Sequence, residues 1–229
     1  MDQHEFNRQL AEAARELASE GSKRDTLDKA VQMSTEIIEA CELAGISVVH
    51  PEGIDTPTAT HEELRRIDQW QYEIGEGPCL EALRQEDVIT SGDLANDDRW
   101  PKWGQQIARE LGVQSSLSYR LFTTGRSLGA LNLFSRRTNA FTDEDVLDGL
   151  ALAAHVAVAL AAAMKEDQLL HGLRTRTTIG QAQGILMERF DIDADHAFDV
   201  LRRVSSQSNR KLRDVAAELV QSRRTPGAE

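Results

Sequence analysis

The sequence predicts an α+β domain joined through a long helix to an all-α module, and three observations carry that expectation. Short β-branched runs alternate with helical segments over the first two-thirds of the chain, whereas only helical periodicity follows Thr142. Charge divides the chain at a similar place. From His171 to the end there are ten Lys/Arg against eight Asp/Glu, or +2, within a chain of net charge −12, which leaves −14 for the first 170 residues.

Phe6, Leu10, Ala13, Ala14 and Leu17 recur at helical spacing, so residues 3–19 are expected to form an amphipathic helix that Gly21-Ser22 interrupts. Asp25 or Thr26 can cap a second helix carrying Leu27, Ala30, Val31, Ile37, Ile38, Cys41 and Leu43, with Gly45 as its stop. Ile46 to His50 is a β-branched run closed by Pro51-Glu52-Gly53, hence a strand and a turn. Further strands are predicted at Asp87–Thr90, Ser115–Phe122 and Leu128–Phe134, the last two joined by a glycine-containing loop over 123–127. Helices are predicted at Thr60–Glu73, Pro78–Gln85 and Trp100–Leu111. Thr142-Asp143-Glu144-Asp145 opens a long helix in the manner of a capping box, running through Met164 and as far as Arg176.

Composition narrows the function classes. Hydrophobic content of 40% and charged content of 28% are those of a soluble globular protein. Two cysteines, Cys41 and Cys79, cannot build a disulfide framework, and no spacing suits a metal site. MDQHEFNRQL has neither a basic nor an apolar leader region, and the alanine-rich stretch Gly149–Met164 falls short of a membrane span; a cytoplasmic protein with no membrane partner is expected. The acidic total argues against indiscriminate nucleic-acid binding and leaves only the C-terminal quarter to meet a phosphate backbone.

Several motifs stand in order within a segment of about 140 residues, 25–165: Gly75-Glu76-Gly77-Pro78-Cys79-Leu80, Asp93-Leu94, Asp98-Arg99-Trp100-Pro101, Gly129-Ala130-Leu131-Asn132-Leu133 and Phe141-Thr142-Asp143-Glu144-Asp145. In this order residues 25–165 resemble a GAF domain, with residues 1–24 as a preceding helix. The resemblance implies an antiparallel sheet with helices on one face and a small-molecule pocket on the other. Leu133 follows Asn132 where cyclic-nucleotide-binding members carry lysine, and Val146 follows Asp145 where they carry glutamate, so a cyclic nucleotide is not the expected ligand. No cofactor is specified, and an empty pocket is one of the readings.

Trp70, Cys79 and Trp100 are the candidate pocket residues. Cys79, placed after two glycines and a proline at a helix start, also admits a redox reading through a stabilised thiolate, against the plainer reading of a small buried hydrophobe. Trp70, Trp100 and Trp103 are otherwise core or pocket walls. In the joining helix Leu147, Leu150, Ala154, Ala157, Ala161 and Met164 follow one another at steps of three and four, the period of a coiled coil. They are the candidate seam of a homodimer; packing of the same stripe on the protein's own sheet is the alternative.

The C-terminal segment predicts three helices: about Thr177–Phe190, one from Ala194 capped by Asp193, and one from Ser208 or Asn209 after a break at Ser205–Ser208. Phe190 and Phe198 are assigned to its core. Arg210, Lys211 and Arg213 crowd the start of the last helix, where they oppose the helix dipole but suit an anion. Ile179-Gly180-Gln181-Ala182-Gln183-Gly184-Ile185-Leu186-Met187, then Ala197-Phe198 with Leu201-Arg202, then Asn209, Lys211-Leu212 and Val215-Ala216 closely resemble the ANTAR domain, here placed at residues 166–224 with a disordered tail over 225–229. That family implies RNA binding that prevents premature transcription termination, by holding paired stem-loops that exclude a terminator hairpin during transcription by RNA polymerase.

Gln181 and Gln183 can read base edges, Arg202, Arg203, Arg210, Lys211 and Arg213 can meet phosphates, and Gly184 allows close approach of RNA or of the next helix. A duplex-DNA regulator using the same three helices is the competing reading, with basic charge that is sparse for it.

Overall fold

The computed structural model describes residues 3–84, 87–124 and 126–222. The chain divides into two compact units, Met1–Met164 and Lys165–Glu229.

The first unit is built on a five-stranded antiparallel sheet of β1 (Leu43–His50), β2 (Gly53–Ala59), β3 (Val88–Ser91), β4 (Ser115–Thr123) and β5 (Arg126–Ser135), in the order β2-β1-β5-β4-β3. Strand alternation sends Ile46, Val48, Leu117, Tyr119, Leu121, Leu131 and Leu133 to one face. There they pack against α1 (Gln3–Ser19), α2 (Lys23–Ile37) and the start of α6 (Asp143–Phe190). The opposite face carries α3 (Glu62–Ile74), α4 (Pro78–Arg84) and α5 (Pro101–Leu111) over a second core with Trp103 at its centre. Phe6, Ala13 and Leu17 of α1 belong to the first core, so the N-terminal helix is part of this unit.

Three local expectations change. The second helix ends at Ile37, not Leu43, and Ser22 caps it by accepting from the Asp25 N–H. Cys41 therefore sits in the turn before β1. The reason is that β1 is buried on both faces along Leu43–Val48, and a continuous apolar run does not distinguish strand from helix by period. Strand β2 was not anticipated, because Pro57 reads as a strand breaker; it is tolerated on this edge strand. Residues Gln85 and Gly125 of the predicted segments, and the tail over 225–229, lie outside the described residues.

Helix α6 starts as expected: Thr142 Oγ1 accepts from the Asp145 N–H at 3.2 Å, and Asp145 accepts from the Thr142 N–H at 2.8 Å. It then runs unbroken to Phe190, so the helix expected at Thr177–Phe190 is its continuation. By length and composition α6 is able to cross a membrane, with mean hydropathy 2.0 over its most apolar window. Its Leu152, Val156 and Leu160 are instead buried against the sheet. Tyr119 of β4 donates to the carbonyls of Asp145 and Val146 and fixes the helix start to the strand.

In the second unit the last part of α6 packs with α7 (Ala194–Ser208) and α8 (Leu212–Ser222) around Ala182, Leu186, Ala197, Leu201, Val215, Ala216 and Leu219. Asp193 caps α7 through the His196 N–H, as expected. Ser205–Ser208 do not break the helix; it ends at Asn209, which takes the left-handed conformation (φ 52°) of a helix C-cap. Arg210 and Lys211 thus precede α8, and only Arg213 of the three lies in its first turn, beside Asp214.

Candidate functional site

Two groups of polar side chains among the described residues bear on function. The first lies in the sensor-like unit, on the sheet face beneath α3. Ser47 of β1 is its centre: its hydroxyl is approached by Tyr72 Oη (2.9 Å), Asn132 Nδ2 (3.0 Å) and Cys79 Sγ (3.3 Å), and it donates to Asp68 (3.2 Å). Asp68 also accepts from Thr56 (2.6 Å) and Gln71 (2.8 Å). The α3 period places Asp68, Gln71 and Tyr72 on one face of that helix, and alternation places Ser47, Ser118 and Asn132 on one face of the sheet. Asn132 lies directly opposite Ser118 in the β4–β5 register.

Asp68 is wholly buried, and burial pushes its carboxyl up to about 6 although its three hydrogen bonds pull it down. Among the described residues no cation pairs with it. Asn132 Oδ1 and the hydroxyls of Ser116 and Ser118 are buried without a partner.

The junction above this cluster is shaped by glycine. Gly75 ends α3 at φ 78° and Gly77 has φ 136°, a region disfavoured for side chains. A Cβ at Gly77 would also lie 2.2 Å from Gln71 Oε1, which receives the Cys79 N–H.

Of the predicted pocket residues, Trp100 and Trp70 pack with the second core and Cys79 joins the Ser47 cluster. Cys79 is in the cluster, but burial, with the Asp68 charge next, pushes its thiol up to about 12. No stabilised thiolate forms there, and Cys41, likewise buried and raised to about 12, is in the other core. Trp100 is buried, donates Nε1–H to Glu81 at 3.0 Å and lies under the Arg99 guanidinium. It lines a groove of about 270 Å³ with Gly75, Glu76, Gly77, Leu80, Glu81, Arg84 and Arg99. Trp70 is half-buried beneath Arg66. Residue spacing pointed to Cys79; Asp68, Ser47 and Asn132 were missed, because a single Asp within a helix and a Ser within a strand carry no pattern of their own.

The second place is the surface of the C-terminal unit. Arg203 and Lys211 are exposed and make no ion pair among the described residues. Arg202 pairs with Asp199 (2.9 Å), Arg210 with Glu218 (2.5 Å) and Arg213 with Asp214 (3.4 Å), while Arg213 also reaches His171 Nε2 at 2.8 Å. Asp199, Arg202, Arg203, Ser206 and Gln207 share a shallow surface depression. Gln181 is exposed, whereas Gln183 donates to the Ala194 carbonyl and ties α6 to the start of α7.

Gly184 does not serve helix packing, since nothing lies within 4 Å of where its Cβ would be. Phe190 and Phe198, expected in the core, are 53% and 37% exposed; seven smaller apolar residues already close the core between the helices.

The predicted seam also divides. Leu147, Leu150 and Ala154 are exposed, Ala161 and Met164 are half-buried against the first core, and Ala157 is buried in it. Val158, which the seven-residue spacing passed over, is 66% exposed, because a straight helix of 3.6 residues per turn drifts from a 3.5-residue repeat.

Known structures share the first unit's fold. The chain is similar to the GAF domain of a phosphoenolpyruvate-protein phosphotransferase from Acinetobacter (14% identity, 73% of this chain and 99% of that one, TM-score 0.57). A GAF domain of a phosphoenolpyruvate-protein phosphotransferase from Coxiella burnetii is comparable (16%, 71% and 96%, TM-score 0.57). So is a free methionine-R-sulfoxide reductase from Neisseria meningitidis in complex with its substrate (18%, 70% and 91%, TM-score 0.53). No curated protein sequence matches the chain. The GAF domain model matches residues 2–161 and the ANTAR domain model residues 167–220. The chain belongs to the GAF domain family and ends in an ANTAR domain, the RNA-binding module of antitermination regulators.

Proposed function

We propose that the protein is a cytoplasmic antitermination regulator that acts as a homodimer on RNA carrying paired stem-loops, under the control of its GAF domain. The ANTAR match over 167–220 carries this reading. Arg203 and Lys211 supply phosphate contacts, since neither makes an ion pair among the described residues, and Arg202, Arg210 and Arg213 can exchange their surface carboxylates for RNA at small cost. Holding the stem-loops excludes the terminator hairpin from the nascent transcript, so that RNA polymerase continues.

The dimer forms along α6 through Leu147, Leu150, Ala154 and Val158, the large apolar members of which are exposed in the single chain. Leu169, Leu170 and Leu173 are exposed farther along the same helix. Two modules on one RNA bind far more tightly than one, by effective concentration. A small molecule held under α3 supplies the signal; the reductase neighbour, which holds its own substrate, supports a small-molecule role for such a fold. A catalytic role for Cys79 is disfavoured by its raised thiol pKa.

Filter binding with a two-stem-loop RNA and a duplex DNA of equal length tests the reading, and preference for the duplex would sink it. The combined Arg203→Glu and Lys211→Glu variant is expected to lose at least about tenfold in RNA affinity and to lower the salt slope by about 2. Its circular dichroism should be unchanged, because both side chains are exposed; equal affinity would discard this face.

Gly184→Ala should stabilise the module by up to about 1 kcal/mol, since alanine is the better helix former and space is open. If RNA passes over this turn, the same variant binds RNA more weakly; thermal melting and filter binding read the two effects separately.

A further inference from the structure

We propose that the polar floor beneath α3 — Asp68, Ser47, Asn132 and Ser118 — binds a small cationic hydrogen-bond donor of the ammonium or amidinium class. The inference rests on the sensor reading of the GAF domain and assigns its ligand chemistry.

A buried carboxylate needs either a cation or enough donors to replace its hydration. Asp68 has three neutral donors, from Ser47, Thr56 and Gln71, and no cation pairs with it among the described residues. Arg120, on the same sheet face two residues beyond Ser118, is turned to Asp87 at 3.9 Å and lies over Phe122.

Beside the carboxylate, the Asn132 amide has one unpartnered polar atom whichever way it is turned, because only its Nδ2 position meets Ser47. Ser118 stands opposite Asn132 in the strand register with its own hydroxyl unpartnered, and Ser116 is a third such group on the same strand face. Buried polar atoms without partners are rare and each is costly. Their concentration on adjoining strands, next to an unpaired negative charge, is a set of acceptors and hydroxyls complementary to an N–H-rich cation. Among the described residues the positive side chain nearest this floor in the strand register is Arg120, whose Nε is buried without a partner and whose guanidinium tip is turned to Asp87. The four floor residues themselves offer carboxylate, amide and hydroxyl groups.

The site is closed in this conformation, so a ligand enters by local opening of α3. That helix is held over the cluster by Gln71, which bridges Asp68 and the Cys79 N–H, and it ends at the Gly75 and Gly77 junction.

The test is thermal melting of the full-length protein with ethylammonium or acetamidinium chloride. Tetramethylammonium, a cation without N–H donors, and acetamide, a donor without charge, serve as controls. The expected result is a saturable rise of roughly 3–6 °C at tenfold excess over Kd for the first two probes. The controls should give none, and Asp68→Asn should remain folded while losing the response. Asn132→Ser is expected to weaken it without abolishing it. Equal shifts with tetramethylammonium, no shift with either probe, or an unaltered response in Asp68→Asn would each overturn the site, leaving buried water as the partner of these groups. Hairpin-RNA binding measured on the same samples keeps the readings apart: RNA binding without a cation response sinks only this site, and the reverse sinks only the RNA-regulator reading.

Discussion

Leu147→Glu combined with Val158→Glu is expected to give a folded monomer whose affinity for a two-stem-loop RNA falls by about 10²–10⁴-fold. Both side chains are 66% exposed in the single chain, so neither charge is forced into a core. The fold should therefore tolerate them as ordinary surface substitutions. A dimer seam would not tolerate them, since four carboxylates would be desolvated against one another across it. The loss is large because it removes the second, tethered binding event, while each module retains its own contacts.

Affinity for a single stem-loop should accordingly stay within a fewfold of wild type, and that contrast separates a broken dimer from a damaged RNA face. Ala157→Glu supplies the opposite control. Ala157 belongs to the buried core of the first unit, so this charge should unfold the GAF domain. Sedimentation velocity beside filter binding reads both variants. A persistent dimer, or a monomer that holds the two-stem-loop RNA as tightly as wild type, would remove the α6 seam from the mechanism.

The contrast between Ala157 and Val158 also shows what the sequence could disclose. Periodicity located the long helix, its Thr142 cap and the stripe along it, because those are local properties of spacing and capping. Which side of the stripe meets the sheet was not local. It is decided by Leu152, Val156 and Leu160 packing on strands far away in sequence, and that orientation turns Ala157 inward and Val158 outward. The same limit explains β1 and β2. A doubly buried strand has no alternation to read, and Pro57 conceals an edge strand whose position only the sheet order reveals.

In the ANTAR domain the motif-bearing residues were legible, but their engagement was not. Gln183 and Arg210 are both donors by type, and the structure gives one to the Ala194 carbonyl and the other to Glu218. The Asp68 cluster was the least visible feature. It is assembled from β1, β2, α3, α4, β4 and β5, and its members are separated by up to 85 positions.

That cluster yields the second large effect. Asp68→Asn should stabilise the GAF domain by about 3 kcal/mol at pH 7.5 and by little near pH 4. In the folded protein the Asp68 carboxyl is pushed up to about 6 by burial, whereas an unfolded aspartate titrates near 3.9. Between these values the native state holds a proton that the unfolded chain has released, so this group makes stability fall as pH rises from about 4 to 6. Above pH 6 the full cost of burying the charge is present, and about two pKa units at 1.36 kcal/mol each set its size.

Asparagine removes the charge while keeping the shape, and the hydroxyls of Ser47 and Thr56 can rotate to suit its amide. Urea unfolding of wild type and variant at a series of pH values measures the difference directly, with the midpoints converging toward pH 4. Parallel curves from pH 4 to 7.5 would show that Asp68 is not a strained carboxylate. A widening gap would show that the domain gives up stability above pH 6 to keep a negative charge beneath α3. A sequence selected only for folding has no reason to do that, whereas a binding site for a cation does.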